Sequence, residues 1–254
     1  MKRLLHPKCL SAFVGFALLP LLGVPAGFAA ASAEAEEIIA RARAHIGRDE
    51  VLDAVQSIRF TGTILMENGL SGDIEIIVRK PMHQRVEITL GRVREITGLS
   101  DYDGWRKLEP IGSPEDWQLT LLEAPQIQRL RANTVENIGF FKGTELDGGR
   151  VEVLGEEEVD GVPCVKVSFK HGRFVEFVRY FDRETGKLVL TKVDDGSVLR
   201  EKGEMIVDGI KFPKELETTT PAGKSTIVFT RIQVNEEFPD ALFDVPLLMP
   251  GKAG

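Results

Sequence analysis

The stretch 205–220, MIVDGIKFPKELETTT, decides how this chain folds. An apolar run, an Asp-Gly pair, a second apolar run and a Pro read as a tight hairpin followed by a further strand. Asp-Gly tolerates the positive φ angles that two-residue hairpin turns demand, so the dipeptide fixes connectivity as well as position. The same grammar recurs in EEVDGVPCVKV (157–167), DDGSVLR (194–200) and DYDGWRKL (101–108), which makes antiparallel pairing the theme of the chain.

Outward from those turns, the apolar period is two. Phe60 and Ile64 share a face, with Arg59, Thr61 and Thr63 on the other. Ile74, Ile76 and Val78 alternate with Asp73, Glu75 and Arg79, and Val86 and Ile88 alternate with Arg85, Glu87 and Thr89. Strands resume at Arg150 and run nearly to the end, broken at Asp160-Gly161, Thr185-Gly186, Asp195-Gly196 and Asp208-Gly209. Residues 58–108 and 150–237 are predicted to form one antiparallel sheet of about ten strands. Ile64, Ile76, Val86, Ile88, Val167 and Val228 are expected on its inner face, and Arg59, Glu75, Glu87 and Lys166 on its wet face.

Two segments break the period. Residues 34–58 carry Ile38, Ile39, Ala42 and Ile46 at helical spacing, then Gly47 as a C-cap and a short second helix with Val51, Leu52 and Val55. Residues 109–142 lose the alternation; Pro125 suits the first turn of a helix, and the segment reads as a loop with one or two helices. A sheet this large, apolar on one face, must cover that face. Either it curls and fills its own interior or it leaves an apolar groove. The expected groove residues are Phe60, Ile64, Ile76, Val86, Ile88, Trp105, Val167 and Val228. The expected lid residues, in the segment least committed to the sheet, are Trp117, Leu119, Leu122 and Phe140.

The N-terminus reads as an export signal. Lys2, Arg3 and Lys8 form a basic region, Leu10–Val24 an apolar one, and GFAAASA supplies small residues for cleavage. Cleavage is expected after Ala33, with Ala30 and Ala31 as alternatives, leaving residues 34–254 as a single exported domain. Cys9 precedes the apolar region, so no cysteine stands where a lipid anchor would be attached, and Cys164 alone cannot close an internal disulfide. Without the signal the 32 Lys+Arg fall to 29 against 39 Asp+Glu, a balance of −10. That argues against nucleic acid and suits a soluble, monomeric periplasmic protein.

Catalytic and metal signatures are missing. His45, His83 and His171 lie outside zinc-ligand spacing of Cys164 or of each other, and Glu156, Glu157 and Glu158 alternate sides of a strand. Neither G-x-S-x-G nor G-x-G-x-x-G is present. No cofactor, metal or enzymatic activity is expected.

In order along the chain, IRFTGTI (58–64), VEVLGEEEVDGVPCVKV (151–167), YFDRETGKLV (180–189), VDGIKFP (207–213) and FPDALFDVP (238–246) resemble the LolA/LolB-like periplasmic lipoprotein-sorting proteins. The resemblance covers about residues 35–246. It implies a mostly β fold: a curved antiparallel sheet forming an open half-barrel, with an N-terminal helix and a central helical insert over the concave face. It also implies an apolar cavity that shelters acyl chains in transit. A carrier for a lipid or a lipidated protein is therefore expected, with an inner- or outer-membrane protein as a further partner. A sensor or regulatory module that binds a protein partner is the alternative.

Overall fold

The computed structural model describes residues 26–246. Of the export signal read over residues 1–33, residues 1–25 lie outside the described residues, and the expected cleavage after Ala33 falls inside the first helix, α1 (Ala26–Ile46). A short α2 (Asp49–Asp53) follows. Five strands come next: β1 (Ser57–Met66), β2 (Ser71–Arg79), β3 (His83–Leu90), β4 (Val93–Ser100) and β5 (Asp103–Pro110). The insert holds a four-residue strand, β6 (Gln118–Leu121), and α3 (Ala124–Ile138). After it come β7 (Arg150–Val159), β8 (Val162–His171), β9 (Val175–Asp182), β10 (Leu188–Val193) and β11 (Val198–Lys202). The chain closes with β12 (Met205–Val207), β13 (Ile210–Phe212), β14 (Glu215–Thr220) and β15 (Gly223–Val234).

Thirteen of these strands form one antiparallel sheet, in the order β6-β5-β4-β3-β2-β1-β15-β14-β11-β10-β9-β8-β7. β1 and β15 pair at its centre and join the two predicted runs into one surface. The edges, β6 and β7, are neighbours in sequence, and α3 is the segment that connects them. The result is an open half-barrel with α1 and α3 across its concave face. It has more strands than the ten expected, because the insert adds β6 and hairpins split the longer runs.

The opening stretch corrects the continuous sheet read over 150–237. Asp208 and Gly209 do take positive φ (51° and 80°), as the turn requires. Yet β12 and β13 pair only with each other. β11 and β14 are already in register across Lys202 and Glu215, so residues 203–214 are an excursion from the ladder. The excursion folds back because its apolar side chains have a dry place to go. Ile210 and Phe212 bury against Leu52 of α2, Val55 just after it, and Ile58, Phe229 and Ile232 of the sheet.

The inner face divides into two apolar clusters. On β7–β9, Val165, Val167, Phe169, Phe177 and Phe181 take Ile38 and Ala42 of α1 and Ala132 of α3. On β1, β2 and β15, Ile58, Val78, Phe229 and Ile232 take α2, the excursion, Ile138 and Phe140. Gly139 ends α3, and Phe140 and Phe141 both turn left-handed (φ 47° and 71°), which splits the rings between the two clusters. A left-handed non-glycine residue is strained, and here the strain sets two aromatic rings on opposite sides of one helix end.

The outer face of β1–β5 is ionic. Arg59 pairs with Glu75 on the next strand, and Glu87 of β3 takes both Arg85 and Arg94. Each such partly exposed surface pair stabilises by about 0–1 kcal/mol. Their weight lies in register, since a one-residue slip would turn them inward. The last segment crosses this outer face: Phe243 is fully buried, its carbonyl accepts from Trp105 Nε1 at 2.8 Å, and its ring lies against His83 and Arg79.

Candidate ligand cavity

A half-open cavity of about 390 Å³ lies between the inner face of the sheet, the C-terminal ends of α1 and α3, and the 203–214 excursion. Period-two strands supply its floor. Phe60, Ile76 and Val86 are cross-strand partners on β1, β2 and β3, so alternation puts all three on one surface. Phe229 of β15, Leu216 of β14, Leu199 of β11 and Leu188 of β10 continue it, and Phe140, Phe141 and Phe212 close over it. A volume of this size with an apolar lining is within the range of small-ligand sites.

One wall departs from that pattern. Glu136 of α3 and Arg179 of β9 line the cavity and are in ionic contact, with side chains 6 % and 8 % exposed. Glu136 Oε1 also lies 2.5 Å from His171 Nε2. Burial alone would raise the Glu136 carboxyl, but Arg179 and His171 outweigh it and hold it below the usual carboxylate range. Glu201 of β11 lines the cavity on the inner parity of the sheet and is exposed to solvent. Desolvation pushes its carboxyl up, opposed by Arg179 and Lys187. At the mouth, Glu204 Oε1 is 3.9 Å from both Lys187 Nζ and His45 Nε2. Burial and the neighbouring Lys211 lower His45.

The expected site residues fall into three groups. Phe60, Ile76, Val86 and Phe140 line the cavity. Ile64, Ile88 and Val167 share the inner face but lie beyond it; Ile64 is opposite Gly72, Ile88 is opposite Ile74, and Val167 sits under α1 in the β7–β9 cluster. The rest differ from the sequence reading. Trp105 pairs with Gly98 on the outer face, where the terminal segment covers it; the turn before it is Asp101-Tyr102, not Asp103-Gly104. Val228 sits opposite Thr63 on the outer face, because Ile227, Val228 and Phe229 are all apolar and carry no parity of their own. The three lid residues of the early insert are elsewhere. Leu119 pairs with Lys107 in an edge strand, Trp117 lies under the Lys107 ammonium at 4.9 Å, and Leu122 packs near Gly104 at the start of α3.

Sequence reasoning missed the charged wall. A signal for it was present in FVEFVRYFD (174–182): Val175, Phe177 and Phe181 share the inner parity with Arg179, so a lone cation stands on an otherwise apolar face. Among the described residues no three His, Cys, Asp or Glu side chains gather closely enough to hold a metal ion. No helix among them is long and apolar enough to cross a membrane.

No protein-family model matches the chain, and no curated protein matches it in sequence. Solved structures do. A DUF1329 family protein from Desulfovibrio piger superposes with a TM-score of 0.53 at 13% identity, over 84% of this chain and 97% of that one. A candidate outer membrane lipoprotein-sorting protein domain from Vibrio parahaemolyticus gives 0.53 at 11% identity, over 84% and 97%. A LolA superfamily protein from Nitrosomonas europaea gives 0.54 at 11% identity, over 83% and 97%. At these identities the likeness is one of backbone, and it extends over nearly the whole of each of those chains. The half-barrel with helices over its concave face is the LolA-like fold.

Proposed function

We propose that this protein is a periplasmic carrier that binds the acyl chain of a lipid or lipidated protein in the cavity of its half-barrel. The observation that carries the reading is the cavity itself: a half-open space of about 390 Å³ floored by Phe60, Ile76, Val86, Leu216 and Phe229, with charged side chains confined to one wall and the mouth. The fold shared with a lipoprotein-sorting domain and a LolA superfamily protein supports it. So does the export signal read from the sequence, which would deliver residues 34–254 to the periplasm. The reading assigns binding rather than catalysis.

The energetics suffice. Burying a dozen methylenes offers about 10 kcal/mol at roughly 0.8 kcal/mol each. Micromolar affinity needs about 8 kcal/mol, which leaves little for ordering and so requires a preformed pocket. The strand-built floor meets that requirement, since its side chains are fixed by register. The test is titration of the purified protein with a fluorescent fatty acid. Micromolar or tighter binding is expected, and Ile76→Asp should abolish it, because a lone carboxylate on the floor must be desolvated by the chain. Ile88→Asp, off the cavity on the same face, should leave it nearly intact. Circular dichroism verifies that both variants fold. Wild type that folds, has been stripped of lipid and still takes no probe would overturn the carrier reading.

A further inference from the structure

We propose that the cavity admits the ionised headgroup of its ligand, that Arg179 receives it, and that the preferred ligand class is the fatty-acid type, one chain ending in a carboxylate. This rests on the reading of the cavity as an acyl-chain site and adds to it the orientation and charge of the ligand.

The two walls of the cavity differ in kind. On the side of β1–β3, β14 and β15 the lining is Phe60, Ile76, Val86, Leu216 and Phe229, without a charge. On the side of α3 and β9–β11 the lining is charged: Glu136 contacts Arg179, Glu201 lies within electrostatic reach of Arg179 and Lys187, and Lys187 faces Glu204. A neutral acyl chain has no use for that second wall. Burying charge is costly, and apolar residues of similar volume would tie α3 to β9 as well or better.

Arg179 is built to present one polar edge. Its guanidinium lies 4.7 Å from the Phe169 ring centroid, 5.0 Å from that of Phe141 and 5.8 Å from that of Phe177, so aromatic rings hold it. Its side chain is more than nine-tenths buried and lines the cavity, yet its Nε–H has no hydrogen-bond acceptor. A buried donor without a partner is unusual and marks a place where a partner is gained. Glu136 contacts Nη1, and its other oxygen is held by His171, so it keeps a partner when Arg179 shares its charge with a second carboxylate. The planar guanidinium matches the two oxygens of a carboxylate. Arg179 is the one deeply buried cation among the cavity residues, since Lys187 at the mouth is half exposed. One such cation suits a single negative charge.

The experiment compares dodecanoate with dodecan-1-ol by displacement of a neutral fluorescent acyl probe at pH 8. Dodecanoate should bind about tenfold to a hundredfold more tightly than the alcohol. The double variant Arg179→Gln with Glu136→Gln removes both charges together, and it should bind both ligands alike. Arg179→Lys retains the charge but not the fork, and should weaken dodecanoate alone; it serves if the double variant does not fold. Lys187→Met should leave the preference in place. Equal binding of acid and alcohol by wild type overturns the proposal while leaving the acyl-chain reading intact. A preference that survives loss of Arg179, or that Lys187→Met removes, overturns the placement. Failure of both ligands and the probe to bind wild type overturns the carrier reading and this proposal with it.

Discussion

Arg43 leaves α1 fully buried and gathers four acceptors. Its Nε and Nη2 donate to Asp49 and Asp53 at 2.5 and 2.6 Å, and its Nη1 donates to the carbonyls of Gly139 and Phe140. The carboxylates are half exposed and recover water if the cation is lost, and the Gly139 carbonyl still accepts from the Lys142 amide, but the Phe140 carbonyl is left without its donor. Arg43→Met should therefore cost about 1–3 kcal/mol in urea unfolding, the desolvation of one orphaned acceptor. Gly98 is set by Trp105: a Cβ there would lie 2.3 Å from the indole ring. Gly98→Ala should destabilise by about 1–3 kcal/mol through overpacking and loosen the terminal segment, seen as faster proteolysis after residue 235. Glu136 sets an acid limit. Its folded carboxyl is held below its ordinary 4.5. It thus adds stability that is present above that pH and is lost as pH falls through the folded value. Stability measured from pH 6 to pH 3 should fall less steeply in Glu136→Gln than in wild type.

At the scale of elements, the 203–214 excursion is the part of the sheet that became cover. Its two faces are unequal: Ile210 is fully buried and Ile206 is 69 % exposed. Ile210→Ala should cost about 2–5 kcal/mol by opening a cavity under α2. Ile206→Lys should stay within about 0.5 kcal/mol of wild type. A reversed result in thermal melts would mean that the hairpin packs by its other side. α3 shows local chemistry at its start, where Pro125 opens the helix and Glu123 and Gln126 form a capping box. Its end is set by distant groups, the carbonyls of Gly139 and Phe140 being held by Arg43 about a hundred residues earlier in the chain.

Across the whole molecule, the sheet meets at the β1–β15 seam and opens at β6 and β7. The seam has neighbours on both sides and apolar cover from α2, whereas β6 is a four-residue edge. Amide hydrogen exchange should be slowest in β1 and β15 and fast in β6. Rapid exchange at the seam would mean that the two halves of the sheet open independently.

Sequence alone determined most of the strands, the turns at Asp160-Gly161 and Asp208-Gly209, the starts of α2 and α3 and the inner parity of Phe60, Ile76, Val86 and Val167. These follow from nearest neighbours and a period of two, which act within a few residues. The tertiary structure decided the rest. It sent the 205–212 hairpin off the ladder, because β11 and β14 could pair without it. It gave Val228 its face, because three successive apolar residues leave the register to the partner strand. It put Trp105 under the terminal segment and not in the cavity, because a dry slot on the outer face exists only once Phe243 arrives. It set Arg179 beside Glu136 and His171, residues tens of positions apart, because a curved sheet and a bridging helix bring such residues together whatever their separation in sequence.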